Sequence, residues 1–199
     1  MEVRDRILEE ATNQFFKYGI RNVTMDDIAA SLGISKRTVY ETFKDKTELV
    51  GTCMRYLIQK QDKMHQEIVN TSANVIETIF RSMQQVMKAM SVINPVFFMD
   101  LKKYYPTLSK NLHEENKEKH VQGTHTMLRR GVNEGLYRKD INIEIVSRLF
   151  HEQMNLIMDE NIFSRDEFDI REVFHNLIIN FTRGISTNKG IELIDRYME

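Results

Sequence analysis

The sequence predicts an all-α protein in which a small helix-turn-helix domain precedes a larger helical domain. Three observations predict this class. Apolar residues recur at helical spacing along most of the chain, only two prolines and eight glycines interrupt its 199 residues, and no convincing strand pattern is present. A composition that is 41% hydrophobic and 29% charged allows a sizeable core. We expect about nine helices.

The first two helices have recognisable boundaries. Apolar residues follow helical spacing over residues 3–16, and Gly19 can take the left-handed conformation that ends a helix. Thr24, followed three residues later by Asp27, resembles a capping box that opens a second helix through MDDIAASL. Gly33 ends that helix after two turns.

Polar residues also mark the next two helix starts. Ser35 is placed to cap a third helix, KRTVYETF, and Asp45 with Glu48 is placed to cap a fourth over about 46–70. The rest of the chain keeps a helical period. Its predicted elements are, in order, an apolar stripe over 76–90, a helix opened by Asn-Pro at 94–95, a polar helix over 107–134, a turn-rich joint at 133–142, apolar helices over 142–162 and 170–187, a stop at Asn188 and Gly190, and a short amphipathic tail.

Composition also restricts the class of partner. A net charge of −1 argues against non-specific binding of polyanions by the whole protein, but four basic residues stand against two acidic ones over residues 35–46. No apolar run reaches the ~20 residues that a membrane span requires, and the N-terminus has no secretory segment. A single cysteine, Cys53, suits a reducing compartment. We expect a cytoplasmic protein that does not associate with membranes.

The segment from Met25 to Phe43 has the pattern of a helix-turn-helix. Ala29 is small enough for a close helix crossing, and Gly33 permits the tight turn. The predicted small core consists of Ile28, Leu32, Ile34, Val39 and Phe43. The residues left on or beside the second helix, which suit phosphates and base edges of a major groove, are Lys36, Arg37, Thr38, Tyr40, Glu41 and Thr42. Taken singly, such cations fit an ordinary solvated helix face equally well.

The run ILEEATNQFFKYGIRNVTMDDIAASLGISKRTVYETFKDKTELV resembles the DNA-binding domain of the TetR family of bacterial transcriptional regulators. The matching positions are the aromatic pair at 15–16, Gly19, Thr24, Ile28, Ala29, Gly33, Ser35, Thr38, Tyr40, Phe43, Lys46 and Leu49. The resemblance is tight over the first quarter of the chain and only architectural beyond it.

The resemblance implies a role for each residue of the predicted DNA-binding set. Thr24, Tyr40 and Lys46 would bind phosphates. Bases or the flanking backbone would be contacted by Lys36, Arg37 and Thr38, and the set is completed by Ser35 and Thr42. The chain departs from the family pattern beside the phenylalanine, where Thr42 replaces a frequent His or Tyr. It is preceded by Glu41, an acid that repels phosphate unless it accepts from a cytosine amino group or pairs with Arg37 or Lys44.

The last two long predicted helices are apolar on more than one side, so each needs partners on more than one side. The resemblance implies that they form a four-helix bundle with a second copy. The predicted dimer contacts are Val146, Phe150, Met154, Ile157, Phe174, Leu177, Ile178 and Phe181. A two-fold dimer would bind a near-palindromic site in double-stranded DNA, with half-sites about 34 Å apart or a multiple of it.

A methionine- and aromatic-rich set between these regions is the candidate effector pocket, because methionine adapts to varied ligands. Its members are Phe80, Met83, Met87, Met90, Phe97, Phe98, Tyr104 and Met127. The same spacing also fits plain hydrophobic core. The resemblance implies some ligand cavity without identifying its lining.

These patterns together predict a DNA-binding domain over residues 1–46 and a regulatory domain for ligand binding and dimerisation over 47–199. We expect a homodimeric repressor that a small, largely apolar effector releases from DNA. The alternative keeps DNA binding but uses a protein partner, with a purely dimerising C-terminal half.

An enzyme is disfavoured, because the sequence offers no nucleophile elbow, phosphate loop or His/Glu metal motif. No cofactor or metal is expected. His113 and His120, seven residues apart, lack an evident third metal ligand, and Cys53 would serve as a redox switch only with a stabilised thiolate.

Overall fold

The computed structural model describes residues 2–157, 159 and 161–199, and within them the chain forms ten α-helices. They are α1 Val3–Tyr18, α2 Met25–Leu32, α3 Lys36–Thr42, α4 Lys46–Thr71, α5 Val75–Val92, α6 Val96–Tyr104, α7 Pro106–Asn133, α8 Ile143–Leu156, α9 Ile170–Ile185 and α10 Asn188–Met198. The predicted all-α class is confirmed, with one helix more than the approximate expectation. No helix of the described ranges is both long and apolar enough to cross a bilayer.

Local capping explains where the early helices begin. The predicted capping box is present: the Asp27 amide donates to the Thr24 hydroxyl at 3.1 Å, and the Thr24 amide donates to the Asp27 carboxylate at 2.8 Å. At the start of α4, the Glu48 amide donates to Asp45 Oδ1 at 2.8 Å, and Glu48 in turn accepts from the amide of Lys44. The Thr24–Asp27 pair is reciprocal, whereas Glu48 bonds to two different residues. Both arrangements satisfy backbone N–H groups at helix starts that would otherwise lack partners.

The predicted helix over 142–162 is too long. Helix α8 ends at Leu156, and turns follow. The Asp159 carboxylate accepts from the amide of Asn161 at 3.0 Å, and the Ser164 hydroxyl accepts from the amide of Asp166 at 3.3 Å. Short polar side chains that bind nearby backbone favour turns over helix, although apolar spacing continues. Positions 158 and 160 of the predicted helix lie outside the described residues.

The predicted stop at Asn188 and Gly190 is also wrong, because both residues lie inside α10. Helix α9 ends at Ile185, and Thr187 caps α10 by accepting from the Gly190 amide at 3.3 Å. Glycine is required at 190 for close approach, since a Cβ there would lie 2.3 Å from the carbonyl oxygen of Leu136. The glycine therefore marks tight packing rather than a helix end.

The chain divides into two compact units. The first contains residues up to Met64 together with Lys88–Glu115, and so includes α6 as well as the predicted 1–46 domain. Helices α1, α2, α3, α4 and α6 all contribute to its core. The fully buried side chains of this core include Ile7, Phe15, Ile28, Val39, Phe43, Leu49 and Phe97. The predicted boundary after residue 46 falls inside this unit, at the first residue of α4, which continues unbroken to Thr71.

Helix α6 fixes the end of α1. The Asn94 amide donates to the Phe16 carbonyl at 2.9 Å, and the Arg21 amide donates to the buried Asp100 carboxylate at 2.7 Å. Gly19 between them has φ 82°, and a Cβ there would lie 2.8 Å from Val96. Both the backbone conformation and the space exclude a larger residue.

The second unit contains His65–Met87 and Asn116–Glu199. Within it, Arg130 of α7 joins the end of α4 to the start of α5. Its guanidinium donates to the carbonyls of Val69 at 3.2 Å and Ser72 at 3.0 Å and pairs with Glu134 at 2.6 Å. Glu134 also accepts from the Val75 amide at 2.7 Å. One half-buried ion pair thus satisfies backbone groups at both ends of the α4–α5 connection.

We expect Arg130→Ala to lower the free energy of unfolding by about 2–3 kcal/mol, because it leaves two partly buried carbonyls and a carboxylate without their donor. The matched control is Arg129→Ala, which removes the neighbouring exposed arginine and should change stability by about 0.5 kcal/mol or less. Urea unfolding followed by circular dichroism measures both. Equal losses in the two variants would contradict the role given to Arg130.

Cys53 lies in the core of the first unit and is 1% exposed. Burial raises the pKa of its thiol to about 11, although a hydrogen bond involving Thr12 opposes the shift. This environment stabilises the neutral thiol and opposes the redox switch that the sequence left open, because such a switch uses a thiolate.

The raised pKa of Cys53 predicts a pH dependence of stability. The folded state favours the protonated thiol, so its contribution is complete below the unfolded pKa of about 8.5 and is lost as pH rises toward about 11. Between pH 8 and pH 11, wild type should lose about 2–3 kcal/mol more unfolding free energy than Cys53→Ala. Urea titrations of both proteins at the two pH values measure this, and parallel losses would refute it.

Candidate nucleic-acid interface

A tight turn places α3 against α2. Gly33 has φ 65° and ψ 30°, and its amide donates to the Ala30 carbonyl at 3.2 Å. The next amide, that of Ile34, donates to the Ala29 carbonyl at 3.1 Å. Because the left-handed conformation is cheap only for glycine, this position fixes both the end of α2 and the direction of the chain into α3.

One face of α3 is buried and the other is exposed. Val39 and Phe43 are fully buried together with Ile28 of α2, as the spacing predicts, while Leu32 and Ile34 are partly buried against the same core. On the opposite face, Lys36, Arg37, Tyr40 and Glu41 are exposed. Half of the Tyr40 surface is open to solvent, which is a large exposure for an aromatic residue.

The hydroxyl residues of α3 hydrogen-bond within the helix. Ser35 caps it by accepting from the Thr38 amide at 3.1 Å, and the Ser35 and Thr38 hydroxyls are 2.8 Å apart. The Thr42 hydroxyl donates to the Thr38 carbonyl at 2.7 Å. In this arrangement the half-buried Thr42 can accept but not donate, whereas a phosphate needs a donor. Ser35 and Thr38 therefore serve first to fix the start of the helix.

Both cations of α3 are paired with carboxylates of the same unit. Lys36 lies 2.5 Å from Asp26 of α2, and Arg37 lies 2.7 Å from Glu41, one turn later. The hydrogen bond that the Lys36 ammonium donates to the Asp26 carboxylate raises the pKa of Lys36 and keeps its ammonium charged. Exposed ion pairs contribute only about 0–1 kcal/mol to stability, so the fold of this unit does not depend on either pair.

Lys46 and Thr24 are more constrained than the sequence indicates. Lys46 is half-buried at the start of α4, and its ammonium donates to the Arg21 carbonyl at 3.5 Å. Burial lowers the pKa of Lys46, while the charges of Asp100 and Asp27 oppose that shift. The Thr24 hydroxyl is committed to the capping box, where it donates to Asp27 at 2.7 Å. Thr24 acts here as a helix cap.

Two further arginines border this region and were missed from the sequence. Arg21 donates to the Tyr104 hydroxyl at 2.9 Å and lies 5.4 Å from the centre of its ring. The guanidinium of Arg4 lies 5.3 Å from the centre of the Phe43 ring. Neither position carries a motif signal, since each arginine is placed by an aromatic partner distant in sequence.

The predicted pocket residues are divided between the two units. The first unit contains Met90, Phe97, Phe98 and Tyr104, and the second contains Phe80, Met83, Met87 and Met127. Phe97 is core and packs edge-on against Phe16 at 5.0 Å, and Phe98 packs against the same core. Phe80 and Met83 are also buried, which fits the plain-core alternative for these positions.

The predicted dimer contacts differ in exposure. Ile157, Phe174 and Ile178 are 2%, 3% and 7% exposed within a single chain, so they have little surface to offer a second copy. The half-buried members are Val146, Phe150, Met154, Leu177 and Phe181. The exposed apolar residues of α8 are ones that the prediction omitted, namely Ile145, Leu149 and Leu156.

Within the described residues, no group of three His, Cys, Asp or Glu side chains is placed to hold a metal ion. His120 lies near His151, with ring centres 6.3 Å apart, rather than being grouped with His113 and a third ligand.

Comparison with known proteins agrees with this geometry. Residues 7–53 match the family model described as bacterial regulatory proteins, tetR family. The uncharacterised HTH-type transcriptional regulator YvaF of Bacillus subtilis is 26% identical over 92% of this chain and 96% of its own length. The HTH-type transcriptional repressor KstR2 of Mycolicibacterium smegmatis is 26% identical over 75% of this chain and 74% of its own.

The fold has close counterparts among solved structures. A transcriptional regulator from Cytophaga hutchinsonii superposes with a TM-score of 0.76 over 92% of this chain and 98% of that one, at 18% identity. Two findings agree with the helix-turn-helix geometry. A family model matches residues 7–53, and a related regulator shares most of this chain's length. Residues 7–53 carry the DNA-binding domain of the tetR family of bacterial regulatory proteins.

Proposed function

We propose that this chain is a homodimeric, sequence-specific transcriptional repressor that inserts α3 into the major groove of DNA. The observation that carries the proposal is the division of α3 into a face anchored by Val39 and Phe43 and an opposite face of cations and an exposed tyrosine. A second helix held in this way at a tight turn is the geometry that reads base edges. Chromosomal DNA as the target would place the protein in the bacterial cytoplasm.

The residues of the predicted DNA-binding set divide into three groups in this proposal. Lys36, Arg37 and Tyr40 have the exposure to contact DNA directly. Ser35 and Thr24 hold the starts of α3 and α2, and so orient the contacting side chains. The half-buried residues of the set form the edge of the proposed contact surface; they are Thr38, Thr42 and Lys46. The exposed Arg21, whose carbonyl accepts from Lys46, joins this edge.

Tyr40→Ala should weaken binding to the cognate site at least about tenfold, because an exposed aromatic on the reading face loses its contact with the sugar–phosphate backbone. The matched control is Tyr18→Ala in α1, since Tyr18 and Tyr40 are 49% and 50% exposed. Fluorescence anisotropy with DNA from upstream of the protein's own gene, or with a site obtained by binding selection, measures both variants at two salt concentrations.

The control variant should keep wild-type affinity, and wild-type binding should be salt-sensitive and sequence-preferring. If wild type and Tyr40→Ala bind selected and unrelated DNA equally weakly, α3 is not a reading helix.

We infer that the second copy covers the outer face of α8 and α9. Leu149 and Ile145 of α8 are 56% and 55% exposed, and the half-buried Phe150 of α8 and Phe181 of α9 have ring centres 4.4 Å apart. A groove of about 330 Å³ continues this apolar surface and is lined by Gln153, Leu156, Phe163, Leu177, Asn180 and Phe181. Contiguous exposed apolar surface of this kind is typical of protein interfaces. The buried Ile157, Phe174 and Ile178 are left out of the proposed interface.

Leu149→Asp should convert the dimer to monomer, because it places a charge where apolar surface would be buried. The matched control, Val92→Asp, makes the same kind of change at an apolar residue that is 69% exposed on α5 and outside the proposed interface. Sedimentation equilibrium gives the molar mass of each variant. Retention of the dimer by Leu149→Asp would refute this interface, and loss of the dimer in both variants would point to a non-specific effect of added charge.

The effector in this proposal is a small, largely apolar molecule bound in the C-terminal domain. Met87 and Met127 of the second unit are half-buried, which gives adaptable side chains some access to a ligand. Such a molecule releases DNA only if it binds the released conformer better than the DNA-bound one. The alternative is a protein partner, and release of the operator by a purified protein but by no small apolar compound would favour it.

A further inference from the structure

The sequence leaves three possible partners for Glu41: a cytosine, Arg37 or Lys44. In the structure its carboxylate accepts from Nε of Arg37 at 2.7 Å, one helical turn earlier. The backbone amide of Lys44 donates to Glu48, in the cap of α4. The acid in the reading helix therefore faces the one arginine of that helix.

Both members of this pair lie on the outward face of α3. The Arg37 and Glu41 side chains are 85% and 61% exposed. Lys36 is held differently, by Asp26 of α2. Arg37 is thus the one α3 cation whose partner also stands on the face that would enter the groove.

The atoms used in the contact leave a defined edge of the guanidinium open. Glu41 binds Arg37 through Nε, and this contact does not use the edge formed by Nη1 and Nη2. A guanine presents two acceptors in the major groove, O6 and N7, which two parallel N–H donors of an arginine match. An arginine without a carboxylate beside it also binds any nearby phosphate, which contributes affinity without sequence information.

We propose that Glu41 is a positioning residue for specificity: it holds Arg37 by Nε so that the Nη edge reads a guanine and not a phosphate. The proposal rests on DNA binding by α3, as proposed above. The carboxylate also repels phosphates and so weakens binding to unrelated DNA, which raises specificity by disfavouring wrong sites. This gain in specificity explains why an acidic residue lies within a surface that binds DNA.

The test begins with binding selections for wild type and Arg37→Ala, which identify the guanine position whose preference depends on Arg37. Glu41→Ala should then lower the preference for guanine at that position by about tenfold. Its affinity for unrelated DNA should rise about three- to tenfold, and the slope of log K against log salt should steepen by about 0.9, the value for one added phosphate contact.

Two variants make the test specific to Glu41. Glu41→Gln removes the charge but keeps an oxygen that can accept from Nε, so it should restore part of the guanine preference while its affinity for unrelated DNA stays high. Glu192→Ala removes an equal charge from an exposed position on α10 and should behave as wild type. Circular dichroism confirms that each variant is folded.

Three results would overturn the proposal: unchanged guanine preference in Glu41→Ala, the same changes in Glu192→Ala, or no guanine preference that depends on Arg37. These differ from failure of the proposed function. If wild type selects no sequence at all, DNA reading by α3 fails. If wild type selects a site and Glu41→Ala reads it equally well, only the role of Glu41 is lost.

Discussion

The position of α3 depends on the burial of two side chains, Val39 within the helix and Phe43 directly after it, in the core shared with α1 and α2. A helix of seven residues is too short to be stable alone, so its orientation comes from this packing and from the turn at Gly33. The same core holds α1, the first turns of α4 and part of α6. Anything that repacks this core would change the direction in which Tyr40 and Arg37 point.

Much of the first unit could be predicted because its signals are local. Thr24, Asp45 and Ser35 cap helices through groups no more than four residues away, and Gly33 needs its conformation whatever surrounds it. The end of α8 and the role of Gly190 could not be predicted in the same way. They depend on turns that compete with apolar spacing and on a carbonyl more than fifty residues away.

The candidate surfaces show the same limit. Periodicity identifies which residues are apolar, but it does not say which apolar face meets the chain's own core. Phe174 and Ile178 turn inward while Leu149 stays exposed. The side-chain chemistry of α3 was predictable, but its pairings were not. The sequence left several partners open for Glu41, and Arg21 and Arg4 carried no motif at all, since aromatic residues distant in sequence place them.

The burial of the chain's single cysteine also has a practical consequence for spectroscopy. A thiol sealed in the core with its proton retained reacts slowly with maleimides and methanethiosulfonates at neutral pH. A second cysteine introduced at an exposed site of the first unit, such as Glu9→Cys, would therefore accept a spin label selectively without removal of the native residue. In a two-fold assembly, the distance between two such labels would report the separation of the two DNA-binding units in solution, with and without DNA.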